Sequence, residues 1–473
     1  MKKFRNLWFY LGIVGGCSIL IYIILAVGNG LENKKGLPVK YPGISHWNEF
    51  YVSVIDNFHH PLAVLLAQIV TIILMARLFG WLCKLVGQPT VVGEVIAGVI
   101  LGPSLVGIYF PQVSAALFPV KSMGNLNALS QVGLILYMFI VGMELDLRLL
   151  RKKALDVMII SHASIIIPFA LGMTLAYFIY QEFAPDSIPF SSFGLFMGIA
   201  MSVTALPVLA RIVQERGMTR TRLGMLAITC AAADDITAWC LLSAVIAIVK
   251  AGSFLSSLYT IALSVAYVIF MIKVVKPFVQ RITGTITDKL PPRAVIGIYF
   301  LVLVLSSLAT ELIGIHALFG GFMAGLIMPA HQGFRKGIIN KLEDLTLLFL
   351  LPLFFVYTGL RTEIGLLTSP GLWLLTLVII FVAVLGKFVG TTIAARFVGQ
   401  GWKDSLVIGI LMNTRGLMEL IVLNIGYDLG VLTPEVFTML VIMALVTTAF
   451  TGPALNFLNR IFKVEKSRLP IVV

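Results

Sequence analysis

Fourteen stretches of this chain are apolar for long enough, or nearly so, to cross a lipid bilayer, and no other feature limits its fold so severely. They run over 7–27, 61–79, 91–108, 126–143, 157–180, 193–213, 223–249, 258–275, 294–312, 315–329, 345–360, 372–398, 406–429 and 436–457. In hydrocarbon a backbone N–H or C=O finds no water, so a spanning segment must satisfy its own polar groups, which a helix of about 20 residues does. Only 12% of the residues are charged and 59% are hydrophobic, whereas about a quarter of a soluble domain is charged. The sequence predicts an all-α polytopic membrane protein.

A net charge of +13 would point a soluble chain toward nucleic acid, but here Lys and Arg gather in short loops. Charge asymmetry across a bilayer accounts for that, and no nucleic-acid partner is expected. With the N-terminus inside, only Lys34, Lys35, Lys40, Lys121, Lys250 and Arg361 fall in outside loops, and only Lys387 and Arg415 lie deep within runs rather than at their inside ends. The other basic residues, such as Arg148, Arg151, Lys152, Lys153, Arg211, Arg216, Arg220 and Arg222, lie inside. Both termini are therefore expected in the cytoplasm of a cell whose plasma (inner) membrane holds the protein. One exception would change this: the first run, with its basic start and Ala26-Val27-Gly28 end, reads either as an uncleaved anchor or as a removed signal.

The expected organisation is an extra N-terminal helix and outside loop at 1–60, a transmembrane domain at 61–458 and a short cytoplasmic tail at 459–473. Cys17, Cys83, Cys230 and Cys240 lack metal or disulfide spacing and read as small apolar packing. No strand leads into a GxGxxG, so no nucleotide-binding domain is expected, and there is no nucleophile elbow or HExxH for an enzyme. His162, the His59-His60 pair and His316 read as satisfied, interfacial or helix-starting residues. No motif requires a cofactor, and the only metal expected is a transported monovalent cation.

Internal similarity narrows the architecture. AGVILGP (97–103) matches AGLIMP (324–329), and the following runs match as LYMFIV (136–141) and LPLFFV (351–356). The members of each pair lie seven places apart in the order of runs, an odd number, so the matched helices cross in opposite senses. That is an inverted-repeat transporter pattern, which places its ion site at the midplane between repeats. Carried onward, the repeat pairs 193–213 with 406–429. The first holds SVTALPVLAR, with Ser202, Thr204 and Pro207; the second holds NTRGLMEL, with Asn413, Arg415, Gly416 and Glu419. Both read as interrupted helices whose freed carbonyls and dipole ends can meet an ion.

Ionisable residues at bilayer depth cost about 2.5–3.5 kcal/mol each on insertion scales, so each needs a reason. They are Glu94, Asp234, Asp235, Lys387, Arg415 and Glu419. Arg415 and Glu419, four apart, read as a mutually neutralising pair. Glu94 reads either as a pathway or pH-sensing residue or as a neutral packed carboxyl, and Asn413 as a possible pathway residue. Adjacent Asp234 and Asp235 point about 100° apart on a helix, and desolvation and repulsion make it costly to keep both charged and unpaired. Such a carboxylate holds a proton or a bare cation, not both, which is the requirement of exchange. One acid is read as binding the cation with Thr204, Ser202 and freed carbonyls, while the other pairs with Lys387. A cation channel and a sodium-coupled organic-solute symporter remain as rival readings.

The motifs GQPTVVGEVIAGVILGPSLVG (87–107), LSQVGLILYMFIVGMELD (129–146), TALPVLARI, DDITAW, HALFGGFMAGLIMP (316–329) and NTRGLMELIVLNIG (413–426) occur in order. Together they resemble the second monovalent cation:proton antiporter family, especially plant cation/H+ exchangers and their bacterial relatives, over 61–458. The resemblance implies an antiporter fold with two broken, crossing helices, a core domain moving against a scaffold/dimer domain, and a homodimer exchanging Na+ or K+ for H+. It makes Asp235 the cation- and proton-binding carboxylate and Asp234 the partner of Lys387. The adjacent acids set the chain apart from potassium-efflux relatives, and the soluble nucleotide-binding tail of some relatives has no counterpart.

Overall fold

The computed structural model describes residues 2–32, 46–58, 60–144, 154–216, 218, 221–251, 254–283, 293–329 and 332–462. All regular structure within them is helical. Lys34, Lys35, Lys40, Asp146, Arg148, Arg151, Lys152, Lys153, Arg220, His59 and the tail from 463 lie outside the described residues, as do the side chains of Pro207 and Arg211.

Two compact units result, Met1–Ala63 and Val64–Val473. The first holds α1 (Lys2–Glu32) and α2 (His46–Phe58). Along α1, Trp8, Tyr10, Ile19, Tyr22 and Leu25 are all exposed, a helix apolar on every side that suits hydrocarbon as its solvent.

The second unit carries α3 (Pro61–Leu85), α4 (Thr90–Leu101), α5 (Val120–Glu144), α6 (Ala154–Phe183), α7 (Phe190–Ser202), α8 (Leu206–Glu215) and α9 (Arg222–Ala251). It continues through α10 (Phe254–Phe270), α11 (Arg293–Ile313), α12 (Ala317–Leu326), α13 (Gln332–Leu345), α14 (Leu351–Leu360), α15 (Pro370–Val384) and α16 (Gly390–Phe397). It ends with α17 (Trp402–Met412), α18 (Leu417–Asp428) and α19 (Pro434–Ile461). One-turn π-helices at Met271–Val275, Thr346–Leu350 and Leu385–Val389 extend α10 and join α13 to α14 and α15 to α16.

Among the described residues eleven helices are long and apolar enough to cross a membrane. The remaining predicted runs fall on the broken pairs α7/α8 and α17/α18 and on α12, which is only ten residues long. The 315–329 run was expected to span unbroken. It starts late because Gly314 and His316 both take positive φ, turning the chain before α12, and His316 Nδ1 then accepts the Leu318 N–H. It stops early because Arg335 donates to the carbonyls of Met328, Pro329 and Met143. Outward side chains such as Leu74, Phe178, Leu263, Leu374, Phe381 and Phe450 are exposed and apolar, the surface of an integral multi-pass membrane protein.

Within this unit the helices sort into two bundles. α4, α5, α11, α12 and α14 pack on one another, with α3 added through Ile72 and Ala76. The other bundle is α6, α7, α9, α15, α16, α17, α18 and α19, with α8 on α9. Contacts between bundles are sparse and fall mainly where α14 meets α18 and α19 meets α4.

The repeat reappears as reciprocal packing, with α4 lying on α14 and α5 on α12. Gly98 abuts the Val356 carbonyl and Gly359, while Gly142 abuts the Phe322 carbonyl and Gly325. With no Cβ in the way, the backbones touch, as small residues permit in membrane interfaces. Gly98→Ala is therefore expected to lower the thermal unfolding temperature of the purified protein, an overpacking cost of about 1–3 kcal/mol. Gly297→Ala, where an added Cβ meets nothing within 4 Å, should leave it unchanged or raise it slightly.

Candidate functional site

Two breaks in the chain meet at the centre of the second bundle. α7 ends at Ser202, Val203 turns extended with φ −70° and ψ 138°, and α8 resumes at Leu206. The break falls just before Pro207, at Val203, whose carbonyl the proline ring would strike in a continuous helix. Proline lies at the second position of α8, where its missing N–H would have had no helical partner anyway. In the other strand of the crossing, α17 ends at Met412 and α18 starts at Leu417. The breaks are tied together directly, since the Ala205 N–H donates to the Thr414 carbonyl at 3.0 Å.

Interrupting two helices at depth exposes four ends, and a charge answers each. Arg415 donates from Nη1 to the Ala200 carbonyl at 3.1 Å and from Nη2 to the Met201 carbonyl at 2.8 Å, which satisfies the negative end of α7. It also pairs with Glu419 at 2.9 Å, both side chains fully buried. Arg415 is not on a helix, as the four-residue spacing had implied. It lies in the unwound stretch and reaches Glu419 in the first turn of α18, where an acid suits the helix dipole. Lys387 Nζ donates to Thr204 Oγ1 at 2.5 Å, and that hydroxyl lies 3.3 Å from the Met412 carbonyl that closes α17. Beside the start of α8, the backbone N–H of Leu206 is directed at Asp235, though short of hydrogen-bond geometry.

The two aspartates differ in their surroundings. Asp234 Oδ2 accepts from Ser164 Oγ at 2.7 Å and Thr204 Oγ1 at 2.7 Å, and lies 3.3 Å from Lys387 Nζ. Lys387 also donates to Ser164 Oγ at 3.1 Å, so all three ammonium hydrogens have acceptors. Asp235 is equally buried, yet neither of its carboxylate oxygens makes a hydrogen bond. Adjacent residues on one helix thus meet opposite conditions, one carboxylate held by a cation and two hydroxyls, the other bare.

Ser202 and Asn413 sit beside these groups without joining them. Ser202 Oγ donates to the Gly198 and Ile165 carbonyls at 2.6 and 3.1 Å. Asn413 caps α17 and its buried Oδ1 has no hydrogen bond. Glu94 lies on α4 in the wall of a cavity of about 520 Å³, which also touches Arg77, Lys84, Tyr137, Val208 and Leu348. Tyr137, on the same wall, is close enough to feel the charge of Asp235.

Sequence reasoning missed Ser164 and Tyr137. Ser164 sits three residues after Ser161, with His162 and Ala163 between them, and both serines are fully buried on α6; that spacing was the available signal. Nothing in its run distinguishes Tyr137 from a packing aromatic.

A family model described as the transmembrane sodium/hydrogen exchanger matches residues 70–460. The chain is 42% identical over 394 residues to the Na(+)/H(+) antiporter NhaS4 of Synechocystis sp., covering 83% of this chain and 96% of that protein. It is 38% identical to Cation/H(+) antiporter 17 of Arabidopsis thaliana, covering 84% of this chain and 48% of the relative, so it spans about half the length of that protein. The K(+)/H(+) antiporter 1 of Saccharomyces cerevisiae is 31% identical, with 85% and 47% covered. In fold the chain resembles the sodium proton antiporter MjNhaP1 from Methanocaldococcus jannaschii, with TM-score 0.62, 17% identity, and 85% and 98% of the two chains covered.

Arg415→Ala is expected to destabilise the protein by about 3–5 kcal/mol, because it strands the buried Glu419 and two α7 carbonyls. Adding Glu419→Leu should recover part of that loss. Thermal unfolding in detergent measures both, and an unchanged single variant would contradict the capping role.

Proposed function

The chain belongs to the sodium/hydrogen exchanger family, and from that premise we propose that its work is secondary antiport of a monovalent cation, Na+ or K+, against H+, with Asp235 as the shared site. The observation that supports this reading is the bare, fully buried carboxylate of Asp235 beside an Asp234 whose Oδ2 is already engaged by Lys387, Ser164 and Thr204. Burying an ionised carboxylate without a partner costs several kcal/mol. Two bound states relieve that cost, a proton on the oxygen or a desolvated cation against it, and each excludes the other. Exchange follows from that exclusion once the site faces the two sides of the membrane in turn.

Asp234 holds Lys387 and through Thr204 ties the lysine to the crossing, so the pair positions the site and supplies compensating charge. The cavity bearing Glu94 and Tyr137 on its wall is the inner route to Asp235, with Asn413 beside the same crossing. Thr204 serves through Asp234, and Ser202 closes α7 beside it. Arg415 and Glu419 hold the broken helices in register. The bundle containing the crossing is the moving core, and the bundle of α3, α4, α5, α11, α12 and α14 is the scaffold. A homodimer in the plasma (inner) membrane with cytoplasmic termini completes the proposal. Residues 1–60 form an added helix and loop, 61–458 the exchanger and 459–473 a tail.

In proteoliposomes carrying a pH gradient, Na+ or K+ is expected to collapse the gradient, and Asp235→Asn should reduce that response to background. Full activity in Asp235→Asn would overturn the assignment. Single-channel currents without proton counterflow would overturn antiport. Lys387 can release a proton when its pair with Asp234 breaks, which would move two protons per cation and make exchange voltage-driven. Lys387→Ala is then expected to abolish the effect of an imposed membrane potential on the exchange rate, and a variant still driven by voltage would remove Lys387 from the transported charge.

A further inference from the structure

The seam between the two bundles is asymmetric. One end opens into the cavity of about 520 Å³. At the other end, polar contacts between α14 and α18 are concentrated around one residue, Arg361, which follows the last turn of α14. Its Nη2 pairs with Asp428 Oδ1 at 2.5 Å, and its Nη1 donates to Asn424 Oδ1 at 3.2 Å. Its guanidinium lies 4.8 Å from the ring centres of both Tyr357 and Tyr427, one ring from each bundle. One turn deeper, Asn424 Nδ2 donates to the buried Thr358 Oγ1 at 2.8 Å. Just beyond, the Glu363 N–H donates to Thr438 Oγ1 of α19 at 3.2 Å. At the cavity end a polar bridge also spans the seam, from Gln88 Nε2 to the Ala449 carbonyl at 3.2 Å, and the cavity stands open beside it.

We propose that Arg361 is the centre of an outer latch, a positioning residue that holds α18 against α14 while the ion site is reached from inside and that must release before the site can face out. The proposal rests on the exchange reading above. α18 is the lever: it starts at the helix break beside Arg415, carries Glu419 in its first turn, and ends at Asp428. Whatever moves its outer end moves the crossing. The contact is suited to release rather than to permanent closure. Arg361 and Asp428 side chains are 18% and 36% exposed, so water stands ready to solvate both ions as they part, and pairs in that setting are weakly held. The two tyrosine faces add cation attraction that acts only while the bundles touch.

A cysteine-free background with Thr358→Cys and Asn424→Cys provides the direct test. Oxidative cross-linking of that pair is expected to cut exchange in proteoliposomes to the level of Asp235→Asn, and reductant to return it. Exchange at the full rate by cross-linked protein would overturn the latch. Arg361→Gln is the second arm, measured in vesicles of each orientation. The half-saturating cation concentration should fall several-fold outside and rise several-fold inside, and the charge swap of Arg361→Asp with Asp428→Arg should reverse the change. Equal shifts on both sides, or none, would overturn it. Absence of exchange in the parent protein would overturn the antiport reading and the latch with it, whereas an active parent with an active cross-linked form overturns the latch alone.

Discussion

Breaking two helices inside a membrane leaves peptide groups with no water to satisfy them, and the rest of the site depends on how this chain answers that cost. The ends of α7 and α17 present carbonyls, and those of α8 and α18 present N–H groups. Arg415 bonds the α7 carbonyls directly, and Lys387 stands next to the α17 carbonyl end through Thr204. Glu419 and Asp235 lie by the N-terminal ends. Charges that an insertion scale would penalise become tolerable because helix dipoles of opposite sign meet them.

That arrangement also separates paired from unpaired charge. Arg415 is bonded to Glu419 and to backbone, and a buried pair of this kind adds little stability over apolar packing while being costly to break. Asp234 Oδ2 and Lys387 are paired too, with Ser164 and Thr204 as further partners, although Asp234 Oδ1 makes no hydrogen bond. Asp235 alone among these charged groups has neither ion pair nor hydrogen bond. The difference comes from helix geometry: α9 turns one aspartate toward α6 and the π-helical turn that carries Lys387, and the next toward α8 and Tyr137.

Much of this was legible in the residues themselves. Every apolar run corresponds to a helix or a broken helix, because the bilayer constraint acts on length and composition, both visible in a chain. The breaks were visible as Ser202, Thr204 and Pro207 in one run and Asn413, Arg415, Gly416 and Glu419 in its counterpart, and the repeat as AGVILGP against AGLIMP. Position within a break was less legible. Pro207 drew attention to itself but sits where a helix accepts proline, and Arg415 looked helical because four-residue spacing does not record an unwound turn. Ser164 was hidden because a serine in an apolar helix can bond its own backbone, and only folding brings it to Lys387, 223 positions away. The π-helical turns have no sequence signature, so the placement of Lys387 within one, at Leu385–Val389, could not be read. Arg361 showed only as an outside charge, since its partners lie 63 and 67 positions further along.

The central claim is that one buried carboxylate is occupied by a proton or by a metal ion and never by both. Calorimetric titration of the purified protein with Na+ and with K+, in buffers of different ionisation enthalpy, measures it without any transport. The account predicts that binding of the transported cation releases a proton to the buffer and weakens as pH falls, and that both effects vanish in Asp235→Asn. Cation binding with no proton release, or with the same affinity at every pH, would contradict it.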